Sequence, residues 1–436
     1  MTESIDARII TLLDQLQIEQ AHIAGRLPTD WRDLVVNYPD RVASLSLVAP
    51  TSLPAADLAN TQERVQIFCS DLPLFGDWAL AALDELPQAT HHVFEGYKTN
   101  LWADLALDQS ELIYQNLLAF AERHPATQIT DTTIASGEMD GLTYQVSGQG
   151  EALILLPLGL SPSAWEPLIA RLSQHFCVIV LGGAQLGFIP ILEERGQSDG
   201  YLSLMRTLFE WIDLQSNESV LEVGCGTGVI VRWLVEETER QNPVTGMDLN
   251  NYLLTEAQSL AQTHGLSDAL TFQQGNAESL PFDDNSFDVI FSTTVMEEVN
   301  AARMMTELIR VVKPGGRVGV VVRATDMAYN LNIPIPPEER DLFERQNRRP
   351  EGESCATATL YHYFQESPLI DIRFGPQLAT FYNAFGVVER FVYGGTIAQM
   401  DELTAATWTD ALRIADEDGT FYFVWPHHMA VGRKPK

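Results

Sequence analysis

Ser219-Val220-Leu221-Glu222-Val223-Gly224-Cys225-Gly226-Thr227-Gly228 is an apolar run holding one acidic residue and ending in alternating glycines. The apolar part reads as a strand, and the stretch from Gly228 to Arg240 has helical spacing. Glycines at such a strand-to-helix junction let the backbone turn tightly and let a ligand approach without Cβ atoms in the way. A dinucleotide fold would want its third glycine one place later, where this chain has Val229. G-x-G-x-G behind an acidic residue suits a ligand that brings no pyrophosphate to the loop.

Short apolar runs continue to alternate with amphipathic stretches downstream. Pro243-VTGMD is a second strand, Leu253 to Thr263 a helix, and Ala269-LTFQQG a third strand. Phe287-DVIFS, a helix over Ala301 to Val312 and the strand Gly316-RVGVVVR follow, with Pro314-Gly315-Gly316 turning helix into strand. Strands and helices alternating at this spacing imply a parallel, doubly wound α/β sheet with its ligand site at the carboxyl ends of the strands.

Three further markers follow along the chain. Asp248 stands twenty positions beyond Gly228, and a carboxylate there can accept two hydrogen bonds from the hydroxyls of an unphosphorylated ribose. Asn276, in Gly275-Asn276-Ala277-Glu278, offers an amide that could read the edge of an adenine. The last marker is Leu308-IRVVKPGGRVGVVV. Together, in this order, they resemble the class I S-adenosylmethionine-dependent methyltransferases, most closely the small-molecule group that includes ubiquinone and menaquinone biosynthesis enzymes. The resemblance covers roughly residues 200–325, and Ser367 to Thr380 with Gly419-TFYFVWPHHMAVGRKP resembles the closing antiparallel pair of bacterial members.

The resemblance implies a seven-stranded Rossmann-like sheet over residues 200–436 and S-adenosylmethionine as cofactor. It implies Glu222, Gly224, Cys225, Gly226 and Gly228 around the methionine moiety and Asp248 on the ribose. Leu249, Asn276 and Ala277 would surround the adenine, with Thr293 after the fourth strand. Many members carry aspartate where this chain has Asn276. A sulfonium methyl is already activated, so such an enzyme chiefly places the nucleophile in line and excludes water. If a proton must leave the acceptor, Glu297 and Glu298 are the nearest candidates. His427 and His428 are adjacent, so on a strand they face opposite sides, and His428 is the third catalytic candidate. A solvated or capping role for the glutamates is the alternative. Arg323 and the Tyr361-His362-Tyr363 cluster are candidates for lining an acceptor pocket.

The first half, residues 1–195, alternates too. A helix, then Ala21-HIAG, then Pro39-DRVASLSLVAP resembles the central stretch of an α/β-hydrolase, in which the strand ends in a G-x-S-x-G elbow. Here the elbow reads Gly25-Arg26-Leu27-Pro28-Thr29, so leucine stands at the nucleophile position. Asp71 matches the family's acid, but Glu95-Gly96-Tyr97-Lys98 replaces the expected histidine. Segment 142–182 resembles the family's opening strands yet follows the closing ones. The expectation is a circularly permuted, capless, catalytically silent hydrolase-like domain. Covering the acceptor pocket, homodimer formation and binding an acyl-like ligand are roles it leaves open.

Length and composition agree with two globular domains: 436 residues, 45% hydrophobic, 20% charged. With 27 basic against 59 acidic residues the net charge is −32, and both halves share the excess. No segment is basic enough to neutralise a phosphate backbone, which argues against nucleic acid as a partner. Four scattered cysteines without C-x-x-C spacing suit a reducing cytoplasm and give no metal-ligand rhythm. The longest uncharged run, Phe176 to Leu192, is interrupted by Gly182-Gly183 and Pro190, which argues for a buried strand and loop, with no membrane span expected. The leading expectation is therefore methyl transfer to an O, N or C nucleophile of a small molecule. A non-enzymatic cofactor-binding scaffold and a hydrolase with an atypical nucleophile are the alternatives, and Val229 disfavours a nicotinamide-dependent oxidoreductase.

Overall fold

Apolar runs that are buried on both faces pair in parallel, and this governs both halves of the computed structural model. The structure describes residues 4–72, 84–99, 102–130, 136–345, 352–384, 386, 388 and 402–436. The chain divides into two units, Met1–Pro190 and Ile191–Lys436.

The first unit contains β1 (Ala21–Gly25), β2 (Val42–Val48), β3 (Val65–Leu72), β4 (Thr90–Lys98) and β5 (Gln128–Ile129), then β6 (Gly137–Met139), β7 (Leu142–Ser147), β8 (Gly150–Leu155) and β9 (Phe176–Gly182). Their order across the sheet is β4-β3-β2-β1-β8-β9-β7-β6, with β5 on β8. β1 lies parallel between β2 and β8, so the first strand of the chain sits inside the sheet rather than at an edge. β1 and β2 are buried along their whole length. A seam of polar side chains nevertheless crosses these strands. His22 Nδ1 meets Ser44 Oγ at 2.8 Å and its Nε2 meets Glu151 at 3.3 Å. Gln66 bonds both Ser46, at 2.8 Å, and His92, at 3.0 Å. Each buried polar group here finds a partner, as it must to avoid a desolvation cost.

After β1 the chain turns through Arg26 and Leu27 into the helix Pro28–Asn37, whose first position suits proline. Leu27 has ordinary extended dihedrals (φ −84°, ψ 129°) and is buried, so the junction lacks both the strain and the hydroxyl of a nucleophile elbow. The neighbouring Arg26 is fully enclosed. Its guanidinium donates to the carbonyls of Ala49, Leu158 and Thr99 at 3.0, 3.1 and 3.2 Å. Asp71 accepts from the Gly96 N–H at 2.7 Å on the surface, with no histidine beside it among the described contacts.

The second unit contains β10 (Val220–Val223), β11 (Val244–Asp248), β12 (Leu270–Gln274), β13 (Phe287–Thr293) and β14 (Val312–Arg323), then β15 (Asn330–Leu331), β16 (Ile370–Phe381) and β17 (Phe423–Arg433). The order is β12-β11-β10-β13-β14-β17-β15, with β16 also on β17. β10 to β14 are parallel, and β17 runs antiparallel to β14, β15 and β16. Among the described residues the sheet has one strand more than the seven expected, the two-residue β15. The Pro314-Gly315-Gly316 stretch differs from expectation as well. β14 begins at Val312 and runs through it, because Gly315 N–H donates to Lys434 O and Lys434 N–H to Gly316 O. The tail thus holds the turn inside the ladder.

Strand parity then decides which side chains meet. Val220, Phe291, Val321 and Met429 pack on one face with Tyr201, Leu208 and Ile230. Leu221, Ile290, Val320 and Ala430 pack on the other with Met304, Leu308 and Phe364. Glu222, Arg323 and His427 share the parity of the first face, and His428 that of the second.

Candidate functional site

The glycine loop closes the carboxyl end of β10. Gly224, Gly226 and Gly228 all have left-handed φ (79°, 54° and 72°), which only glycine adopts without strain. A Cβ on Gly224 would stand 2.1 Å from Val295 Cγ2, whereas one on Gly226 would meet only Leu192 Cδ1 at 3.6 Å. The loop is clipped to the end of β11. Gly224 and Cys225 N–H groups donate to Met247 O at 2.7 and 2.9 Å, and Gly226 N–H donates to Asp248 Oδ2 at 2.8 Å. Asn250 N–H donates to Asp248 Oδ1 at 2.9 Å.

Glu222 is the electrostatic anomaly. It is 2% exposed, and its Oε2 has no hydrogen-bond partner. Burial, reinforced by the Asp248 charge, pushes its carboxyl up to about 8, although Arg195 and Arg232 pull the other way. Burial also raises Asp248, against the hydrogen bonds from Asn250, Gly226 and Leu249 N–H groups. Two neighbouring carboxyls held reluctantly in a dry corner favour a ligand that is cationic and rich in hydroxyl donors.

The proposed adenine side gathers at the ends of β11 and β12. Gly275 N–H donates to Asp248 O at 3.0 Å and Gln274 Nε2 to Leu249 O at 3.1 Å. Leu249 is 38% exposed, a large apolar side chain left open, whereas Ala277 is buried. Asn276 is exposed, and its Oδ1 accepts from Glu278 N–H at 2.8 Å. Thr293, at the end of β13, keeps a buried Oγ1 without a partner.

The three catalytic candidates are separated by the structure. Glu297 Oε1 lies 3.6 Å from Arg323 Nε, with the glutamate side chain only 4% exposed. Glu298 is exposed, and its charge acts on Arg323 as well. His428 has both ring nitrogens engaged, Nδ1 with Tyr361 Oη at 2.6 Å and Nε2 with Asp326 Oδ1 at 2.7 Å. It stands on the opposite face from Glu222. Its neighbour His427 is fully buried on the Glu222 face. His427 Nδ1 donates to Trp425 O at 3.0 Å, which fixes the tautomer and leaves Nε2 as an acceptor without a partner. Burial, with help from the Arg323 and Arg195 charges, pushes its pKa down to about 3.

Arg195 and Tyr201 went unnoticed in the sequence because they precede the glycine motif. Arg195, in the helix Ile189–Gln197, acts electrostatically on both Glu222 and His427 and stacks over Tyr201 at 5.1 Å. On the same helix Glu193 pairs with buried Arg232. Buried polar atoms lacking partners therefore concentrate at this end of the sheet, on Arg195, Glu222, Thr227, Thr293, Arg323 and His427 among others. Cross-strand register, which the sequence does not display, places His427 rather than His428 on the Glu222 face.

With this geometry in view, residues 221–320 match the family described as "Methyltransferase domain". The matched segment runs from β10 into β14 and so contains the glycine loop, Asp248 and Asn276. S-adenosylmethionine is the cofactor such a domain implies. A ubiquinone/menaquinone biosynthesis C-methyltransferase of Allorhizobium ampelinum is 40% identical over 105 residues, which is 23% of this chain and 40% of that protein. A sterol 24-C-methyltransferase of Gibberella zeae is 38% identical over 110 residues, 25% of this chain and 28% of the relative. The chain thus spans well under half the length of these curated relatives. The crystal structure of the [4+2]-cyclase SpnF is 20% identical and covers 57% of this chain and 92% of its own, at a TM-score of 0.37.

Proposed function

We propose that residues 191–436 bind S-adenosylmethionine and pass its methyl group to an O, N or C nucleophile of a small-molecule acceptor. The observation that carries this is the buried Glu222 carboxyl, one oxygen unpartnered, beside Asp248 at a loop of three left-handed glycines. These residues fit the cofactor: a cation relieves Glu222, and the Asp248 carboxylate accepts from a ribose diol. The methyl on a positively charged sulfur is the chemistry the cofactor supplies when bound. Leu249, Asn276 and Ala277 hold the base, and Thr293 offers its hydroxyl near the reacting end. Arg323, oriented by Glu297, faces the acceptor, and Glu297 or Glu298 takes a proton if one must leave. His428 acts only through its Tyr361 and Asp326 partners in this reading.

For residues 1–190 we propose a permuted hydrolase-like domain without catalysis, which leaves homodimer formation as a role to test. A first strand lodged mid-sheet, with β6 to β9 beyond it, is what a permutation would produce. Buried Leu27 and enclosed Arg26 support the loss of catalysis. Among the described residues no helix is long and apolar enough to cross a membrane. The four cysteines are buried and form no disulfide among the described residues, which supports a reducing, cytoplasmic setting.

Titration calorimetry of the full chain with S-adenosylmethionine tests the reading. Incubation with methyl-labelled cofactor and extract, followed by mass identification of product, then names the acceptor. Absence of binding refutes the proposal, and binding without transfer to any acceptor favours the scaffold alternative.

A further inference from the structure

Arg323 and His427 are cross-strand partners in the antiparallel β14–β17 pair and project from the same face, the one that carries Glu222. Side chains so placed stand about 5 Å apart at Cβ. Each presents one buried polar atom without a hydrogen bond, Arg323 Nε–H as a donor, with Glu297 Oε1 at ion-pair range of 3.6 Å, and His427 Nε2 as an acceptor. Neither can exchange its role. A guanidinium has no acceptor, and the bond from His427 Nδ1–H to Trp425 O commits the other ring nitrogen to its lone pair. The surroundings are aromatic: the Trp425 ring lies 5.6 Å from His427 and 5.9 Å from the Arg323 guanidinium carbon, and Tyr201 meets His427 edge-on at 6.3 Å.

A group that satisfies both atoms must donate and accept at once. A carboxylate or phosphate accepts only, so it would set its lone pairs against Nε2 and its charge against Glu297. An ammonium donates only, and would be repelled by Arg323. A neutral ether leaves Nε2 unsatisfied. Such one-sided groups pay the cost of a buried polar atom without a bond. A hydroxyl alone among these gives its proton to Nε2 and its lone pair to Nε–H. We infer that Arg323 and His427 form a fixed donor–acceptor pair that selects an acceptor carrying a hydroxyl on an apolar or aromatic skeleton. This rests on the proposed function for where the acceptor lies. It assigns His427 as a specificity-determining, positioning residue.

The test uses the full chain saturated with S-adenosylhomocysteine and three probes of one shape: 2-naphthol, 2-methoxynaphthalene and 2-naphthoate. Wild-type protein is expected to bind the naphthol at least tenfold more tightly than either of the others. His427→Phe keeps a planar ring but removes the acceptor, and is expected to bring the naphthol and methoxynaphthalene within about twofold of each other. Arg323→Gln is expected to weaken naphthol binding about tenfold. His427→Gln, whose amide oxygen can still accept, is expected to restore part of the preference, which a purely structural role would not predict. Equal binding of the three probes, no probe binding at millimolar concentration, or an undiminished preference in folded His427→Phe would each overturn the inference. Failure of S-adenosylhomocysteine itself to bind would instead strike the proposed function, because that titration is read separately.

Discussion

If the cofactor's cation meets Glu222 as proposed, the raised carboxyl makes binding a proton-releasing event. In the ligand-free protein this group holds its proton up to about pH 8 because burial and Asp248 penalise the charge. A cationic ligand stabilises the ionised form, so the proton leaves as the ligand arrives. With a bound-state pKa below 5.5, the ionised fraction of the empty site rises from about 0.3% at pH 5.5 to about 24% at pH 7.5. Affinity for S-adenosylmethionine is therefore expected to rise roughly 70-fold over those two units, worth about 2.5 kcal/mol. Calorimetry in buffers of different ionisation enthalpy should count close to one proton released per site at pH 6.5. Glu222→Gln should flatten the dependence and abolish the release. A pH-independent affinity in the wild-type chain would refute the reasoning, since it would mean that Glu222 is already charged or is not met by the cation.

The same group sets a stability trend of the opposite sense. Its folded pKa lies above the ordinary 4.5, so the folded state binds more protons and ligand-free stability falls as pH rises from about 4.5 to 8. Glu222→Gln should accordingly raise the melting temperature at pH 8 and change it little at pH 5, as thermal scans of the apo chain would report. Asp248→Ala should weaken cofactor binding by about 1–3 kcal/mol, and unchanged affinity would remove Asp248 from the site. Gly224→Ala forces a left-handed φ on alanine and a Cβ to 2.1 Å from Val295, so it should destabilise the chain by about 1–3 kcal/mol in urea unfolding. Ester hydrolysis should sit at background in wild type and stay there in Leu27→Ala, and a drop from a measurable rate would revive the hydrolase alternative.

Much of the second unit was legible because its local signals agree. The apolar runs at Val220, Val244, Leu270 and Phe287 became adjacent parallel strands, and the glycines make the tight turn expected at the strand-to-helix junction. Period-two and period-3.6 patterns are local, so a sequence displays them directly. What depended on long-range register was not displayed. Whether His427 or His428 faces the glycine loop is decided by pairing with Val322 and Arg323, about a hundred residues away. Arg195 had no motif at all and becomes relevant only because its helix packs near Glu222. Continuation of β14 through Pro314-Gly315-Gly316 likewise hinges on Lys434, at the far end of the chain.

The enclosed Arg26 bears on any attempt to redesign the first unit. Three peptide carbonyls from three separate segments depend on one guanidinium there, so the corner behaves like a rivet through stacked plates. Grafting a serine at position 27 would leave that rivet in place. Removing it would strand three acceptors together. Any redesign of this corner thus requires several coordinated changes, none of them useful alone.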